Sequence, residues 1–208
     1  MRNRCVITTK DNWNKNTIGV YLHWNGGRDS VEAFLEYCKM KDYRTDDLAR
    51  LCQVIGNFFG GTLSLEIGML DDLDCDNWDN GVYIIENWEI VDRKYFTGSE
   101  QNEYDRLDAL LSIDKAMPES ERIADFINAE DVNIYDLEVG DMVCFIGNSE
   151  NLIKARIVGI GEDVTVNGYN VLGVPYVDIY GYEGRYNKNV NNYLHPDRHI
   201  WVRKIVEE

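Results

Sequence analysis

Apolar residues in the first half of the chain fall into short runs that predict β-strands. Arg4–Thr9 and Ile18–Trp24 are rich in β-branched and aromatic residues, and a polar loop separates them. Gly61–Gly68 and Gly81–Val91 have the same texture further along. The pattern therefore predicts a hairpin near the N-terminus and two more strands after residue 60.

Two apolar stripes at helical spacing lie between these strand runs. The first predicts a helix that begins with Asp29 or Ser30 as its cap and ends near Lys41. The second follows Thr45, a good N-cap, and should end at Gly60, since glycine adopts the left-handed conformation that closes a helix. The stripes consist of Val31, Phe34, Leu35 and Cys38, and of Leu48, Leu51, Cys52, Ile55 and Phe59.

The order strand-strand-helix-helix-strand-strand over residues 1–98 predicts an α+β domain, in which helices pack on one face of an antiparallel sheet. After it, Asn102–Met117 and Pro118–Asn128 carry apolar residues at helical spacing and acidic residues on the other face. Pro118 suits the first position of a helix. We therefore predict an acidic helical connector over residues 99–131.

Short apolar runs separated by glycine-rich turns fill residues 132–208. Asn167-Gly168 lies between two of these runs and predicts a tight hairpin. The segment Leu137-Glu138-Val139-Gly140-Asp141 resembles the opening of SH3-like modules. Together these features predict a small C-terminal β-barrel of SH3-like type.

Charge is concentrated in the middle third of the chain. From Leu65 to Asp141, 22 acidic residues stand against 5 basic ones, whereas the rest has 15 acidic and 16 basic residues. This block has a net charge of −17 and the rest of the chain +1, so the block accounts for the whole net charge of −16. Such a block repels polyanions and can mimic one, so we expect no direct nucleic-acid binding.

The densest group of carboxylates lies in Asp71–Asp79, between two predicted strands. Three of its aspartates match the first ligand positions of a calcium loop, but Asn77 replaces the turn glycine and Tyr83 the bidentate glutamate. We therefore predict no metal and no cofactor. Trp78 lies among the acids, and aromatic anchors often dominate protein interfaces. The predicted partner-binding residues are Asp71, Asp72, Asp74, Asp76, Trp78, Asp79, Glu86 and Glu89.

Two other pairs of residues could carry chemistry. If the first two strands pair, Cys5 and His23 lie opposite each other as a possible thiol–imidazole dyad. His195 and His199 have the i, i+4 interval of a zinc pair, but Pro196 disfavours a helix there. Neither pair has an identifiable third partner, so we expect no catalytic residues and keep an enzyme with a Cys/His site as an alternative.

Arg4-Cys5-Val6-Ile7, followed by Tyr21-Leu22-His23-Trp24-Asn25-Gly26, resembles the opening of a group of small phage and mobile-element proteins. These show a short strand, then Tyr-x-His-Trp-Asp-Gly and an amphipathic helix, and Asn25 stands here at the position of the Asp. The resemblance implies a mobile-element origin.

Together with the charge block, this origin leads us to expect a non-enzymatic protein of the host cytosol. It would bind and inhibit a basic nucleic-acid-targeting defence complex, as anti-CRISPR or antirestriction inhibitors do, with nucleic-acid mimicry as one route. No apolar run reaches 18 residues, so we expect neither a membrane span nor a signal peptide. A generic structural or regulatory interaction module is the alternative binding function.

Overall fold

The computed structural model divides into two compact units, Met1–Arg122 and Ile123–Glu208. The sequence had instead predicted three segments. The structure describes residues 3–10, 17–99, 105–133, 136–147, 152–161, 164–166, 169–171, 176–180, 192–194 and 202–206. These residues form a mixed α and β fold with four α-helices.

Five strands of the first unit form one mixed sheet. They are β1 (Cys5–Thr9), β2 (Ile18–Leu22), β3 (Leu65–Met69), β4 (Val82–Glu86) and β5 (Glu89–Lys94), and their order in the sheet is β3-β2-β1-β4-β5. The predicted antiparallel arrangement is wrong at one pairing, because β1 and β4 are parallel. Between β3 and β4 the chain returns to the end of the sheet where β1 begins, and this return sets the direction of β4.

The predicted strand Gly81–Val91 is in fact two strands joined by a tight turn. Asn87 and Trp88 both have positive φ angles, 55° and 61°, which is typical of a type I′ hairpin turn. The carboxylate of Asp46 accepts the backbone N–H groups of Asn87 and Trp88, each at 2.9 Å. The turn was missed because it lacks the glycine that usually marks this geometry.

Three helices of the first unit pack on one another: α1 (Arg28–Met40), α2 (Leu48–Phe59) and α3 (Arg106–Ala116). The predicted Thr45 cap is wrong, because the side chain of Asp47 accepts the N–H groups of Ala49 and Arg50. Gly60 ends α2 in the left-handed conformation, as predicted. Helix α3 lies within the predicted connector, yet its contacts are with α1 and α2.

Residues 70–80, which we call the crossover segment, connect β3 to β4 over one face of the sheet. Leu73 is buried there with Tyr21 of β2 and with residues of β1 and β4, and Leu70 and Cys75 pack against the same cluster. The backbone N–H of Leu70 donates to the carbonyl of Thr17 at 2.7 Å. Apolar side chains thus fasten an otherwise acidic segment to the sheet.

The second unit is built on antiparallel strands. Its elements are α4 (Ala124–Asn128), β6 (Glu130–Asp131), β7 (Met142–Ile146), β8 (Leu152–Gly161), β9 (Val164–Val166), β10 (Tyr169–Val171), β11 (Tyr176–Tyr180), β12 (Asn192–Leu194) and β13 (Arg203–Lys204). Six of the strands form a sheet in the order β12-β11-β8-β7-β13-β6. Val166 pairs with Tyr169, which confirms the predicted hairpin around Asn167-Gly168.

The core of this sheet contains Val143, Phe145, Ile153 and Ile157. Among the described residues no pairing joins the end strands β12 and β6, so the SH3-like barrel stays a prediction. The predicted helix Pro118–Asn128 is wrong in its first half, where Glu119–Glu121 forms a single 3₁₀ turn. None of the helices described has both the length and the apolar content that a membrane crossing needs.

Candidate partner-binding surface

Asn77 organises the crossover segment from inside. Its side chain is fully buried, and Nδ2 donates to the carbonyls of Asp74 and Gly81, both at 3.2 Å. Its Oδ1 accepts the backbone N–H groups of Asp79, Asn80 and Gly81 at 3.0–3.2 Å. One amide side chain therefore satisfies five backbone groups and fixes the path of the chain into β4.

Arg4 holds the same stretch from the start of β1. Its Nε donates to Oδ2 of Asp79 at 2.6 Å, and its backbone N–H donates to the same oxygen at 3.2 Å. The guanidinium also donates through Nη2 to the carbonyl of Asn77, and Nη1 lies 3.7 Å from a carboxylate oxygen of Asp74. Two of the five aspartates are thus used to anchor the segment.

Trp78 projects from this fixed backbone. Its side chain is 89% exposed, although residues of this type usually bury most of their surface. Its φ angle is 59°, a left-handed conformation that is unusual for a bulky residue and costs free energy. The hydrogen bonds of Asn77 and Asp79 on either side hold this backbone conformation, so the side chain of Trp78 leaves a fixed stretch of backbone toward solvent.

The remaining carboxylates of the segment face solvent. Asp71, Asp72 and Asp76 are exposed, and the part of the chain that the structure describes offers none of them an ion pair. In that same part, no three His, Cys, Asp or Glu side chains are grouped so that they could hold a metal ion. We call the group Asp71, Asp72, Asp74, Asp76, Trp78 and Asp79 the Trp78 surface.

The structure does not bring Glu86 and Glu89 into the Trp78 surface. They flank the hairpin turn at the far end of β4, about 16 Å from Gly81 for a strand of this length. Lys10 Nζ lies 2.8 Å from Glu86 Oε2, and Lys39 Nζ donates to Glu89 Oε1 at 2.7 Å. The bond from Lys39 lowers the pKa of Glu89. Each of these two carboxylates therefore already forms an ion pair with a lysine of this protein.

The structure does not assemble the Cys5–His23 dyad. Cys5 is fully buried, and burial raises the pKa of its thiol. Cys5 pairs with Leu22, and both side chains lie on the same face of the sheet. His23 contacts the ring of Tyr21, which lies on the opposite face, toward the crossover segment. The ring centroids of His23 and Tyr21 are 4.8 Å apart. His195 and His199 lie outside the described residues.

Sequence reasoning missed the two residues that build the surface, Asn77 and Arg4. Asn77 was noted only as a departure from a calcium loop, although asparagine in an Asp- and Gly-rich turn is itself a signal for side-chain-to-backbone bonding. Arg4 gave no signal, since the residues of the crossover segment that it contacts lie 70 or more positions away. Comparison of the chain with protein-family models, curated proteins and solved structures gave no match.

Proposed function

We propose that this protein is a non-enzymatic interaction protein of phage or mobile-element origin. It binds and inhibits a basic, nucleic-acid-targeting defence complex in the host cytosol, and the Trp78 surface makes the contact. The observation that carries the proposal is the exposed Trp78 ring, held in a strained conformation among carboxylates.

The tryptophan supplies the affinity of such a contact. Large aromatic side chains that enter a pocket of the partner are the commonest sites of high binding energy in protein interfaces. The buried amide of Asn77 and the ion pair of Arg4 with Asp79 keep the neighbouring backbone fixed before binding. Little conformational entropy is then lost when the partner docks, which favours affinity.

The carboxylates supply steering and selectivity. Asp71, Asp72 and Asp76 have no ion pair among the described residues, so they are available to lysine and arginine side chains of a partner. A groove that accepts nucleic-acid phosphates has this basic chemistry, and a negative surface can occupy it in their place. Binding of this type should be fast at low salt and should weaken as salt screens the charges.

The test is direct binding to purified CRISPR effector complexes and restriction endonucleases, with inhibition of their nuclease activity as the second readout. Trp78→Ala should weaken binding by about 30-fold, the effect of losing an interface anchor of about 2 kcal/mol. Trp24→Ala is the control, since Trp24 is a second exposed tryptophan, at 51%, and lies outside the crossover segment.

A charge-matched pair of variants isolates the role of the carboxylates. Asp71→Asn, Asp72→Asn and Asp76→Asn in one protein should abolish inhibition and flatten the salt dependence of binding. Glu119→Gln, Asp136→Asn and Glu138→Gln make the same change in net charge at exposed positions elsewhere. Equal losses in both triple variants would show that net charge alone acts, which would overturn the proposed surface.

A further inference from the structure

A cavity of about 300 Å³ lies in the first unit between α1, the end of α2 and α3. Its inner wall is apolar: Ala33, Phe34 and Ile113 are buried, and Phe58 contacts Phe34 edge to face with ring centroids 5.3 Å apart. This volume is at the lower end of the range for small-molecule sites. The cavity can therefore hold a side chain or a fragment-sized ligand.

The mouth of the cavity is polar and carries negative charge. Asn25, Ser30, Asp105, Asp108 and Ser112 line it. Asp105 and Asp108 are exposed, and no described lysine or arginine pairs with either carboxylate. The hydroxyls and the amide add hydrogen-bonding groups beside the two carboxylates.

The helix ends at the mouth do not favour an anion. Helices α1 and α3 both begin here, and free N–H groups at a helix start attract negative charge. The N–H of Ser30, however, donates to Oδ1 of Asp29 at 2.8 Å, and that of Asp108 donates to Oδ1 of Asp105 at 3.0 Å. These protein carboxylates already occupy the place of an anion, so an incoming one would meet like charge.

We infer that this cavity binds an organic cation, an ammonium or guanidinium group on a short apolar body. The apolar body packs on the inner wall formed by Phe34 and Phe58. The charged head lies at the mouth, next to Asp105 and Asp108. The inference stands apart from the proposed function, because the cavity and the Trp78 surface share no residue.

The test uses n-butylguanidinium as the probe and amide chemical shifts in NMR as the readout. Saturable shifts should appear at Ser30, Ala109 and Ser112, with a dissociation constant below about 10 mM. Neutral n-butanol and anionic butyrate, which have an apolar body of similar size, should bind at least about tenfold more weakly. No saturable shift at these amides, or equal binding of n-butanol, would overturn the inference.

Two kinds of variant test the site without relying on one fold-sensitive change. Asp105→Asn with Asp108→Asn removes both charges while asparagine keeps the helix cap, and affinity for the probe should fall about three- to tenfold. Ala109→Phe should fill the cavity and abolish binding. Glu119→Gln is the control and should bind like the wild type. Unchanged affinity in the double variant would contradict the role of the carboxylates.

A capped arginine amide distinguishes the two natural sources of such a cation. Binding comparable to n-butylguanidinium would identify an arginine side chain of a protein partner as a ligand that fits. Much weaker binding of the arginine amide would indicate that the natural ligand is a free small amine or guanidine, because the cavity would then exclude the peptide groups on either side of an arginine side chain. Either result supports a cation site, provided that the probe itself binds.

Discussion

The Nε atom of Arg4 donates to Oδ2 of Asp79 at 2.6 Å and so joins the start of β1 to the crossover segment, 75 positions further along the chain. This bond and the buried amide of Asn77 turn an acidic connection into a structured surface. An exposed loop with five aspartates would otherwise repel itself and sample many conformations. The ion pair thus links the stability of the sheet to the presentation of Trp78.

The buried amide of Asn77 is the first point to test. Asn77→Ala removes one hydrogen bond from each of five backbone groups, of which, among the described residues, only the N–H of Asn80 and the carbonyl of Gly81 keep a backbone partner. We expect the free energy of unfolding to fall by about 2–4 kcal/mol. Asp76→Ala, at the exposed neighbouring position, should change it by less than about 0.5 kcal/mol. Urea denaturation followed by tryptophan fluorescence measures both values, and equal effects would contradict the role given to Asn77.

Trp78 and Trp88 have nearly the same φ angle, 59° and 61°, but opposite burial. Trp78→Gly should raise the free energy of unfolding by about 1 kcal/mol, because glycine removes the strain and little packing is lost. Trp88→Gly should lower it by about 3 kcal/mol or more, because the buried ring donates through Nε1 to the carbonyl of Tyr43 at 3.3 Å. A loss of stability in Trp78→Gly would show that the exposed ring is structural.

Gly81 and Gly60 also form a matched pair, with φ angles of 66° and 68°. A Cβ at Gly81 would lie 2.1 Å from the carbonyl oxygen of Lys94, whereas a Cβ at Gly60 meets nothing within 4 Å. Gly60→Ala should therefore lower the free energy of unfolding by only about 1 kcal/mol, the cost of placing alanine in the left-handed conformation. Gly81→Ala should lower the free energy of unfolding by at least about 2 kcal/mol more, because the end of β5 at Lys94 has to move away from the new methyl group. Thermal unfolding of the two variants gives the comparison.

The stability of the second unit should depend on pH through the ionisation of Asp141. Lys204 Nζ lies 2.7 Å from Oδ1 of Asp141, and the backbone N–H of Glu138 donates to Oδ2 at 2.9 Å. Both bonds lower the pKa of Asp141, and the bond from Lys204 has the larger effect. Its contribution to stability is therefore complete above about pH 4, the unfolded value, and is lost as the pH falls through the folded pKa.

Asp141→Asn should reduce the stability of the unit at pH 7 and should make it less dependent on pH below 4. The curves of the wild type and the variant should converge in acid, where the wild-type carboxyl is protonated as well. Denaturation midpoints at a series of pH values measure this. Curves that stay parallel over the whole range would contradict the assignment, and Lys204→Gln should reproduce the loss at pH 7.

Much of the fold of the first unit could be predicted because its signals are local. The apolar stripes that begin at Val31 and Leu48 each specify a buried helix face, and Gly60 specifies where one of them ends. The parallel pairing of β1 with β4 could not be predicted, since it depends on the path of the chain over the sheet. The turn at Asn87 and Trp88 could not be predicted either, because the side chain of Asp46, 41 positions before Asn87 in the chain, stabilises it.

The candidate site was only partly predictable for the same reason. A run of aspartates around Trp78 is visible in the sequence, and so is its negative charge. Which carboxylates remain available depends on tertiary ion pairs: Arg4 engages Asp79, and Lys39 engages Glu89. The cavity between the helices could not be predicted from the sequence, because its lining comes from three separate stretches, residues 25–34, Phe58 and residues 105–113.

Competition between this protein and nucleic acid for one defence complex tests the central claim most directly. A purified nuclease complex is titrated with labelled target DNA in the presence of the wild type, Trp78→Ala or the Asp71, Asp72 and Asp76 triple variant. The account predicts that the wild type displaces the DNA and that displacement weakens with salt. Trp78→Ala should need about 30-fold more protein for the same displacement, and the triple variant should not displace the DNA. Binding that leaves the DNA in place, or displacement that survives both variants, would contradict it.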